Sequence, residues 1–296
     1  MKQTFKDGLD LEKNGGGMAR IIAFVHHKGG TGKTTSCLNI AGWLAKVGKR
    51  VLVVDLDPQG NATAGLGIDR AMLFGSLYEV FRGERAFEEV IVQTDSGVHL
   101  APSSFNLLSF ELEMAGQAGR VGLLAERLEA IESFYDYILI DVPPGSTQLM
   151  MNGIAAAEHL IIPIDSGVFG AETLETLKKL IFSLADELGI EVNVMMVLLK
   201  SFSADVLDLS LTHEVRKMVA AFLQSSGLGT VKIFTIPFSR QIYQAQMKGL
   251  PISHWAPYSD AGRAYQRVTM GLLPSPYQDT INNLRKFVTR SFAKIK

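Results

Sequence analysis

Apolar residues occur along the chain in short, β-branched runs, separated by longer stretches with helical periodicity. Each run has the length of a buried strand, and the candidates are Arg20–His26, Arg50–Asp55, Tyr137–Asp141, His159–Ile164, Val192–Leu199 and Val231–Ile236. Helical patterns lie between the runs, for example at Ser36–Val47, Leu123–Ser133 and Ala171–Leu188. Buried strands that alternate with helices predict an α/β fold, in which helices cover both faces of a mostly parallel sheet.

The two ends of the chain depart from this alternation. Residues 1–17 are polar and end in three glycines, which predicts a flexible tail before a domain at 18–273. Residues 274–296 start with Pro274 and Pro276, which break the preceding helix, and then predict a basic helix with one apolar face. The residues of that face are Ile281, Leu284, Val288, Phe292 and Ile295. Such a helix can pack on protein or lie in an anionic lipid interface.

The composition is that of a folded domain, since 47% of the residues are hydrophobic and 20% are charged. No apolar run reaches the roughly 18 residues that a membrane span requires, and the first residues lack the apolar stretch of a signal peptide. Cys37 is the only cysteine, which excludes an internal disulfide framework and any site made of this chain's own paired thiolates. We therefore expect a cytoplasmic protein.

Charge is distributed unevenly, although the net charge is only −1. Residues 1–199 carry 16 Lys/Arg against 25 Asp/Glu, a balance of −9, whereas residues 200–296 carry 13 against 5, a balance of +8. A basic C-terminal third predicts an anionic partner, either nucleic acid or a lipid surface, with a merely solvated basic face as the alternative. If the partner is DNA, the candidate phosphate contacts are Arg216, Lys217, Lys232, Arg240, Lys248, Arg263 and Arg267.

A glycine-rich segment joins the first predicted strand to an apolar helix. The P-loop pattern is G-x-x-x-x-G-K-[ST]; Gly32, Lys33 and Thr34 match it, while His27 occupies the first glycine position. Glycines let backbone N–H groups turn inward around phosphate oxygens, and the helix N-terminus adds positive charge. Lys33 can reach the β- and γ-phosphates, and the Thr34 hydroxyl can bind Mg²⁺. The predicted nucleotide-binding residues are Gly29, Gly30, Thr31, Gly32, Lys33, Thr34 and Thr35.

The sequence KGGTGKTT, which begins at Lys28, resembles the deviant Walker A motif of the ParA/Soj partition ATPases and the MinD division-site ATPases. The resemblance covers roughly residues 18–273. It implies a P-loop NTPase fold, ATP and Mg²⁺ as cofactors, and a homodimer in the ATP state. Lys28 would correspond to the family's extra lysine, which reaches the partner subunit's nucleotide; an ordinary exposed lysine is the other interpretation.

Three further stretches extend the resemblance. Residues 53–63 (VVDLDPQGNAT) are similar to the partition branch's second motif, which implies that Asp57 helps to activate the attacking water and that Asp55 lies near the metal. The stretch YILIDVPPG resembles a Walker B strand, in which Asp141 would hold Mg²⁺ through water. The segment Ile236–Ile252 resembles a late family segment and implies that Pro237 lies near the adenine.

Two positions differ from the family's usual pattern. His26 and His27 stand where the family usually has Asn-Gln, and we interpret them as neutral filler rather than as a pH-sensitive pair. Arg240 lies one place away from the position of a typical DNA-contacting arginine.

Other nucleotide-binding classes fit less well. An iron–sulfur relative needs paired thiolates, and Cys37 on an apolar helix favours a core role. A GTPase would carry an N-K-x-D guanine-reading motif, which the sequence lacks. The VVDLDPQGNAT stretch favours a nucleoid-associated partition ATPase that binds DNA nonspecifically and hydrolyses ATP slowly until an activating partner protein binds. The alternative is a MinD-like ATPase that docks on a membrane through its C-terminal helix.

Overall fold

The computed structural model describes residues 17–114, 121–145, 147–165, 193–201, 206–225 and 231–274, together with scattered positions between 175 and 191. The predicted tail and the predicted C-terminal helix lie outside the described residues, apart from Gly17 and Pro274. Half of the residues of the predicted helix Ala171–Leu188 also lie outside them. The division of the chain into three parts therefore stays a prediction.

The described strands form one eight-stranded sheet in the order β3-β4-β2-β5-β1-β6-β7-β8. All neighbouring strands are parallel except β3 and β4, which confirms the predicted mostly parallel sheet. The six predicted strands are present, and the additional β3 and β4 are only two and three residues long. The strands are β1 (Arg20–Phe24), β2 (Val51–Asp55), β3 (Val92–Gln93), β4 (His99–Ala101), β5 (Tyr137–Asp141), β6 (His159–Asp165), β7 (Val194–Lys200) and β8 (Lys232–Ile236).

Helices connect the strands. The described helices are α1 (Lys33–Lys46), α2 (Asn61–Gly65), α3 (Leu77–Arg82), α4 (Phe87–Val90), α5 (Leu107–Met114), α6 (Leu123–Leu128), α7 (Gln148–Ala155), α8 (Val206–Ser225), α9 (Arg240–Met247), α10 (Ile252–Trp255) and α11 (Asp260–Met270). Two 3₁₀ turns occur at Arg70–Met72 and Glu132–Phe134, so the helix predicted to reach Ser133 ends at Leu128. None of the described helices is both long and apolar enough to cross a membrane.

Alternate residues of the central strands enter two separate cores. In β1, Ile21 and Ala23 pack into one apolar cluster, whereas Ile22 and Phe24 pack into the other. Because successive strand side chains point to opposite faces, this division requires apolar elements on both sides of the sheet. Helices therefore cover both faces, as predicted.

Helix α1 packs closely against the start of α10. A Cβ at Gly42 would lie 2.3 Å from Cβ of Pro251, so the approach of the two elements requires glycine there. Asn39 Oδ1 accepts a 2.6 Å hydrogen bond from the Ile252 amide, which fixes the same contact. Helix α1 follows the glycine-rich segment directly, and this packing therefore anchors the nucleotide-binding region to the core.

The amino ends of the strands form one edge of the sheet, and hydrogen bonds join this edge to the end of α11. The carbonyl of Leu272, just after α11, accepts hydrogen bonds from Arg20 Nη1 at 3.0 Å and from Tyr137 Oη at 3.1 Å. Arg20 Nη2 also lies 3.1 Å from Nε2 of His159. These contacts connect the end of α11 with β1, β5 and β6. The polar groups that make them have a structural role.

Candidate nucleotide-binding site

The three central strands bring two predicted metal-binding aspartates together. β5 pairs with β2 so that Asp141 lies opposite Asp55, and with β1 so that Asp141 lies opposite Phe24, just before the glycine-rich segment. The carboxyl ends of parallel strands meet at one edge of a sheet, where α/β proteins bind their ligands. Both aspartates are completely buried at this edge.

The glycine-rich segment has the backbone of a phosphate-binding loop. Gly30 (φ 76°) and Gly32 (φ 96°) adopt left-handed conformations, which side chains with a Cβ rarely tolerate. Gly32 precedes α1, and no side chain caps the N-terminus of that helix. The first N–H groups of α1 are thus available to an anion, as at other phosphate-binding helix ends. Thr31 is buried within the segment, with 2% of its surface exposed.

An open cavity of ≈ 640 Å³ lies over this segment. Its lining combines predicted phosphate-binding residues with residues of the second motif and of α9. The lining includes Gly29, Gly30, Gly32, Lys33, Thr34, Thr35, Asp57, Gln59, Pro144, Lys200, Tyr243 and Gln246. The structure therefore brings together most of the residues that the sequence predicts for ATP.

Lys33 is a buried cation at the base of this cavity. Only 6% of the residue is exposed, and its Nζ donates a 3.2 Å hydrogen bond to the carbonyl of Lys28. Burial lowers the pKa of Lys33, while the negative charges of Asp141 and Asp57 act in the opposite direction. A phosphate could replace the single carbonyl as its partner, which suits a lysine that contacts phosphate oxygens.

Asp55 and Asp141, which lie opposite each other on neighbouring strands, differ in their hydrogen-bond partners. Asp55 Oδ2 accepts hydrogen bonds from the amide and the hydroxyl of Thr63, both at 2.7 Å. Neither carboxylate oxygen of Asp141 makes a hydrogen bond of normal geometry among the described residues, although the Thr34 side chain is near enough to act on its pKa. Burial raises the pKa of Asp55 to about 7. Burial, followed by the nearby Asp55, raises the pKa of Asp141 well above its usual range.

These residues fit a magnesium ion that is held mainly by nucleotide and water. Two unpartnered, buried carboxylate oxygens at Asp141 are the feature that a cation would satisfy. The described residues contain no group of three or more His, Cys, Asp or Glu arranged to hold a metal by themselves. Mg²⁺ in phosphoryl-transfer sites usually has only one or two protein ligands, besides phosphates and water.

Asp57 is held in place by one hydrogen bond to its side chain and one to its backbone. Its Oδ1 accepts a hydrogen bond from the Gln59 amide at 3.0 Å, and its carbonyl accepts one from Ser103 Oγ at 2.6 Å. Asp57 is mostly buried but lines the cavity. Asp57 therefore lies at the phosphate end of the cavity, and Ser103, which follows β4, holds its backbone carbonyl.

A second, narrower cavity of ≈ 50 Å³ continues from the first. It is lined by Pro237 with neighbouring apolar and aromatic residues, among them Ile236, Phe238, Ile242, Tyr243 and Tyr265. Thr35, Lys200 and Gln246 line both cavities. An apolar pocket beside a phosphate loop is suited to a nucleobase. Pro237 lines this pocket, and its contact with the adenine stays a prediction.

Some residues of the site were not predicted from the sequence. Gln246 Nε2 donates to Thr35 Oγ1 at 3.1 Å, and Lys200 Nζ donates to the carbonyl of Gly30 at 3.4 Å. Thr63 lies within the VVDLDPQGNAT stretch, but Ser103 and Lys200 belong to no motif. Their signal is positional, because each follows or ends a parallel strand at the edge that carries the site.

The histidine pair and the switch-like turn also meet at this edge. His26 is fully buried, and its ring stacks on that of His27 with centroids 4.9 Å apart. Burial, with the charges of neighbouring basic residues, lowers the pKa of His26 to about 3. The Gly145 amide donates a 2.8 Å hydrogen bond to the carbonyl of His27. His26 is therefore uncharged at physiological pH.

The structure does not gather the predicted DNA-contacting cations into one surface. All seven are exposed. Arg240 begins α9 and Lys248 follows it, and Tyr243, Gln246 and Met247 of this helix line the nucleotide cavity. Lys232 lies at the opposite edge, where Nζ donates to the carbonyl of Gly271, and Arg267 lies in the last turns of the neighbouring α11.

Three of the seven contact other side chains. Arg263 pairs with Asp260 at 2.8 Å, and Lys217 pairs with Glu214 at 3.0 Å. Arg216 Nη1 lies 3.4 Å from the hydroxyl of Thr235. Such exposed pairs are weak and would yield to phosphate at little cost. Cys37, the remaining chemically distinctive residue, is buried in the core as predicted.

The chain is similar to known proteins over most of its length. Residues 19–194 match the protein family described as an AAA domain. The chain is 32% identical over 250 residues to the sporulation initiation inhibitor protein Soj of Bacillus subtilis, an alignment that covers 84% of this chain and 96% of that protein. It is 33% identical over 249 residues to the chromosome-partitioning ATPase Soj of Thermus thermophilus, covering 84% and 93% respectively.

The fold is also similar to a solved structure with nucleotide bound. The crystal structure of cobyrinic acid a,c-diamide synthase from Mycobacterium smegmatis with bound ADP and magnesium matches with a TM-score of 0.70. The sequence identity is 26%, and the match covers 85% of this chain and 93% of that chain.

Proposed function

The chain belongs to the ParA/Soj family of P-loop ATPases, and we propose that it works as an ATP-switched homodimer that positions or segregates DNA or another cargo. It is an ATP hydrolase that uses ATP and Mg²⁺. The observation that carries the proposal is a pair of lysines on one phosphate loop. Lys33 is buried at the base of the cavity, whereas Lys28 is exposed just before the cavity's glycines.

The residues of the sheet edge divide the binding of the cofactors. Gly29, Gly30 and Gly32 present backbone N–H groups to the phosphates, and Lys33 neutralises their charge. Thr34, Asp55 and Asp141 are the residues that would hold Mg²⁺, which supplies positive charge against the β- and γ-phosphates when bound. The base would occupy the pocket at Pro237. Thr31 and Thr35 complete the loop.

Asp57 is the residue that orients the attacking water in this proposal. Phosphoryl transfer gains mostly from positioning and charge stabilisation, so a carboxylate that accepts from the Gln59 amide, on a backbone carbonyl held by Ser103, needs only to fix the water's direction. Such an arrangement gives slow basal turnover, which a partner protein accelerates by completing the site. The switch would then be released by hydrolysis.

Lys28 couples ATP to dimerisation in this proposal. Lys28 is exposed next to the phosphate cavity, so its ammonium group can reach the nucleotide of a second subunit that closes over this face. The apo protein and the ADP form would therefore stay monomeric, and the ATP form would close face to face. Lys28 would act there as a catalytic residue, because it touches the transferred phosphate of the partner.

DNA is the anionic surface that we propose for the ATP state, with concentration on the nucleoid as the result. The support is the regional excess of basic residues after position 200 and the exposure of all seven candidate cations. The predicted amphipathic helix at 274–296, on which membrane docking would depend, lies outside the described residues.

The dimer is tested by measuring the molar mass by light scattering in the apo, ADP–Mg²⁺ and ATP–Mg²⁺ states. Wild type is expected to double its mass only with ATP, and Lys28→Ala to remain monomeric while it still binds ATP. Lys179→Ala, at an exposed lysine away from the loop, is the matched control. A constitutive dimer that ignores both ATP and Lys28→Ala would refute the switch.

The surface is tested by co-sedimentation with plasmid DNA and, separately, with anionic phospholipid vesicles. We expect ATP-dependent sedimentation with DNA that falls steeply with rising salt, because nonspecific affinity depends on released counterions. Charge reversal at Arg240, Lys248 or Arg263 should weaken this binding without changing ATP hydrolysis. ATP-dependent binding to vesicles that is lost on deletion of residues 275–296 would replace DNA by a membrane in the proposal.

A further inference from the structure

The histidines at positions 26 and 27 have no role in the proposed function, yet one of them has a specific bond. His26 is 0% exposed, and its Nδ1 lies 3.0 Å from the backbone nitrogen of Lys28. A backbone N–H can only donate, so Nδ1 must accept and carries no proton. The imidazole is therefore in the tautomer with its proton on Nε2.

The bond runs from the N–H of one residue to the side chain two residues earlier. Asn and Asp make the same contact in Asx turns, in which a side-chain oxygen closes a turn of the backbone. At His26 a ring nitrogen occupies the place of that oxygen. The histidine thus closes the turn that leads from β1 into the phosphate loop.

Two further bonds depend on the backbone of this turn. The carbonyl of Lys28 accepts from Lys33 Nζ at 3.2 Å, and the carbonyl of His27 accepts from the Gly145 amide at 2.8 Å. The first bond holds the phosphate-contacting lysine, and the second holds the turn that follows Asp141. The His27 carbonyl belongs to the same peptide unit as the Lys28 N–H that bonds to His26, and the Lys28 carbonyl belongs to the next peptide unit along the loop.

We propose that His26 is a positioning residue of the ATP site, whose neutral ring closes an Asx-like turn and thereby sets the direction of Lys33 and of the turn at Gly145. His26 itself does not contact the nucleotide. It is therefore more than neutral filler, although it does not serve as a pH sensor. The inference rests on the proposed contact of Lys33 with phosphate.

The test compares two substitutions that separate hydrogen bonding from packing. His26→Asn restores an acceptor for the Lys28 N–H but leaves a small void, whereas His26→Leu fills the space better and has no acceptor. We expect His26→Leu to weaken ATP affinity about tenfold, and His26→Asn to stay within about threefold of wild type. ATP affinity is measured by isothermal titration, with thermal unfolding as the check on folding. If His26→Leu does not fold, His26→Gln replaces it, since its longer side chain does not close the turn.

Packing alone predicts the reverse order, with the leucine variant closer to wild type than the asparagine variant. That order, equal losses in both variants, or no loss in either would overturn the proposal. Failure of wild type to bind ATP would instead refute the proposed function. Nitrogen chemical shifts of His26 in the intact wild-type protein give a measurement that needs no variant. Protonated Nδ1 in the apo protein would equally overturn the inference.

Discussion

The two edges of the sheet use polar residues in opposite ways. At the amino edge, Arg20 and Tyr137 both donate to one carbonyl, that of Leu272, and so close the domain around α11. At the carboxyl edge, Asp141 is fully buried, but neither of its carboxylate oxygens makes a hydrogen bond of normal geometry among the described residues. Lys33 there is bonded only to a loop carbonyl at 3.2 Å.

The difference separates groups that stabilise the fold from groups that await a ligand. A buried polar group is favourable when it is bonded, and costly when it is not. The amino edge therefore contributes to the free energy of unfolding. The carboxyl edge lowers that free energy in the apo protein and recovers the loss when phosphates and a cation bind. Substitutions at the two edges should consequently affect different measurements.

Removal of the buried cation should have the largest effect. Lys33→Ala is expected to weaken ATP affinity on the order of 1000-fold, because truncating a buried charged contact costs about 4 kcal/mol. The apo protein should unfold at the same or a higher temperature, since burial already lowers the pKa of Lys33. Isothermal titration and thermal unfolding measure the two quantities.

Lys232→Ala is the matched control at the amino edge, where Nζ donates to the carbonyl of Gly271. It should leave ATP affinity unchanged. A Lys33→Ala protein that binds ATP like wild type, or one that no longer folds, would show that the carboxyl edge is not poised for a ligand.

Asp57 tests whether the carboxyl edge separates binding from chemistry. Asp57→Asn should lower kcat about 100-fold, as expected for loss of a water-orienting carboxylate, while ATP affinity stays within about threefold. Steady-state phosphate release and isothermal titration are the measurements. Turnover at the wild-type rate in this variant would shift the role to Asp55, the other acidic residue of that motif.

The sequence alone was sufficient to predict the longer parallel strands and the phosphate loop. Buried parallel strands read as apolar runs, and a phosphate loop requires glycines and a lysine at fixed spacing, so β1, Gly32 and Lys33 all carry local signals. The strands β3 and β4 are too short for a periodic signal. They form because the neighbouring sheet supplies their hydrogen-bond partners.

Long-range partners could not be predicted for a similar reason. The contacts of Ser103 with Asp57 and of Gln246 with Thr35 join residues 46 and 211 positions apart. Nothing in the local pattern of either serine or glutamine marks them. The sequence also contained no indication of a role for His26. Histidine is usually considered as a titrating group, whereas in the structure its unprotonated Nδ1 accepts a hydrogen bond.

At the amino edge, a smaller effect on stability alone is expected. Tyr137→Phe removes the donor to the carbonyl of Leu272 but leaves the one from Arg20. The free energy of unfolding should fall by about 1 kcal/mol, the usual contribution of one buried hydrogen bond. Urea unfolding measures this change, and ATP hydrolysis should stay at the wild-type rate. A loss of hydrolysis without a loss of stability would remove the distinction between the edges.

His99 extends the same distinction to acid pH. It begins β4 at the amino edge, and its Nδ1 lies 3.0 Å from Tyr135 Oη. Burial lowers the pKa of His99 to about 4, whereas an unfolded histidine titrates near 6.5. Between these values the unfolded chain binds a proton that the folded chain does not, so the free energy of unfolding falls as the pH falls from about 6.5 towards 4. The stability that the buried, uncharged His99 contributes is fully present above the unfolded pKa. It is lost progressively as the pH falls towards the folded pKa of about 4.

A non-titrating substitute should therefore flatten the acid limb of the stability profile. His99→Gln keeps an amide partner for the Tyr135 hydroxyl, and the difference in unfolding free energy between pH 7.5 and pH 5.5 should be about 1 kcal/mol smaller than in wild type. Urea unfolding at the two pH values measures this difference, and His213→Gln, at an exposed histidine of α8, is the control. ATP affinity at pH 7.5 should not change, since His99 is remote from the carboxyl edge. An unchanged acid limb would mean that His99 already binds its proton in the folded protein, and that the amino edge tolerates a charge that its burial should exclude.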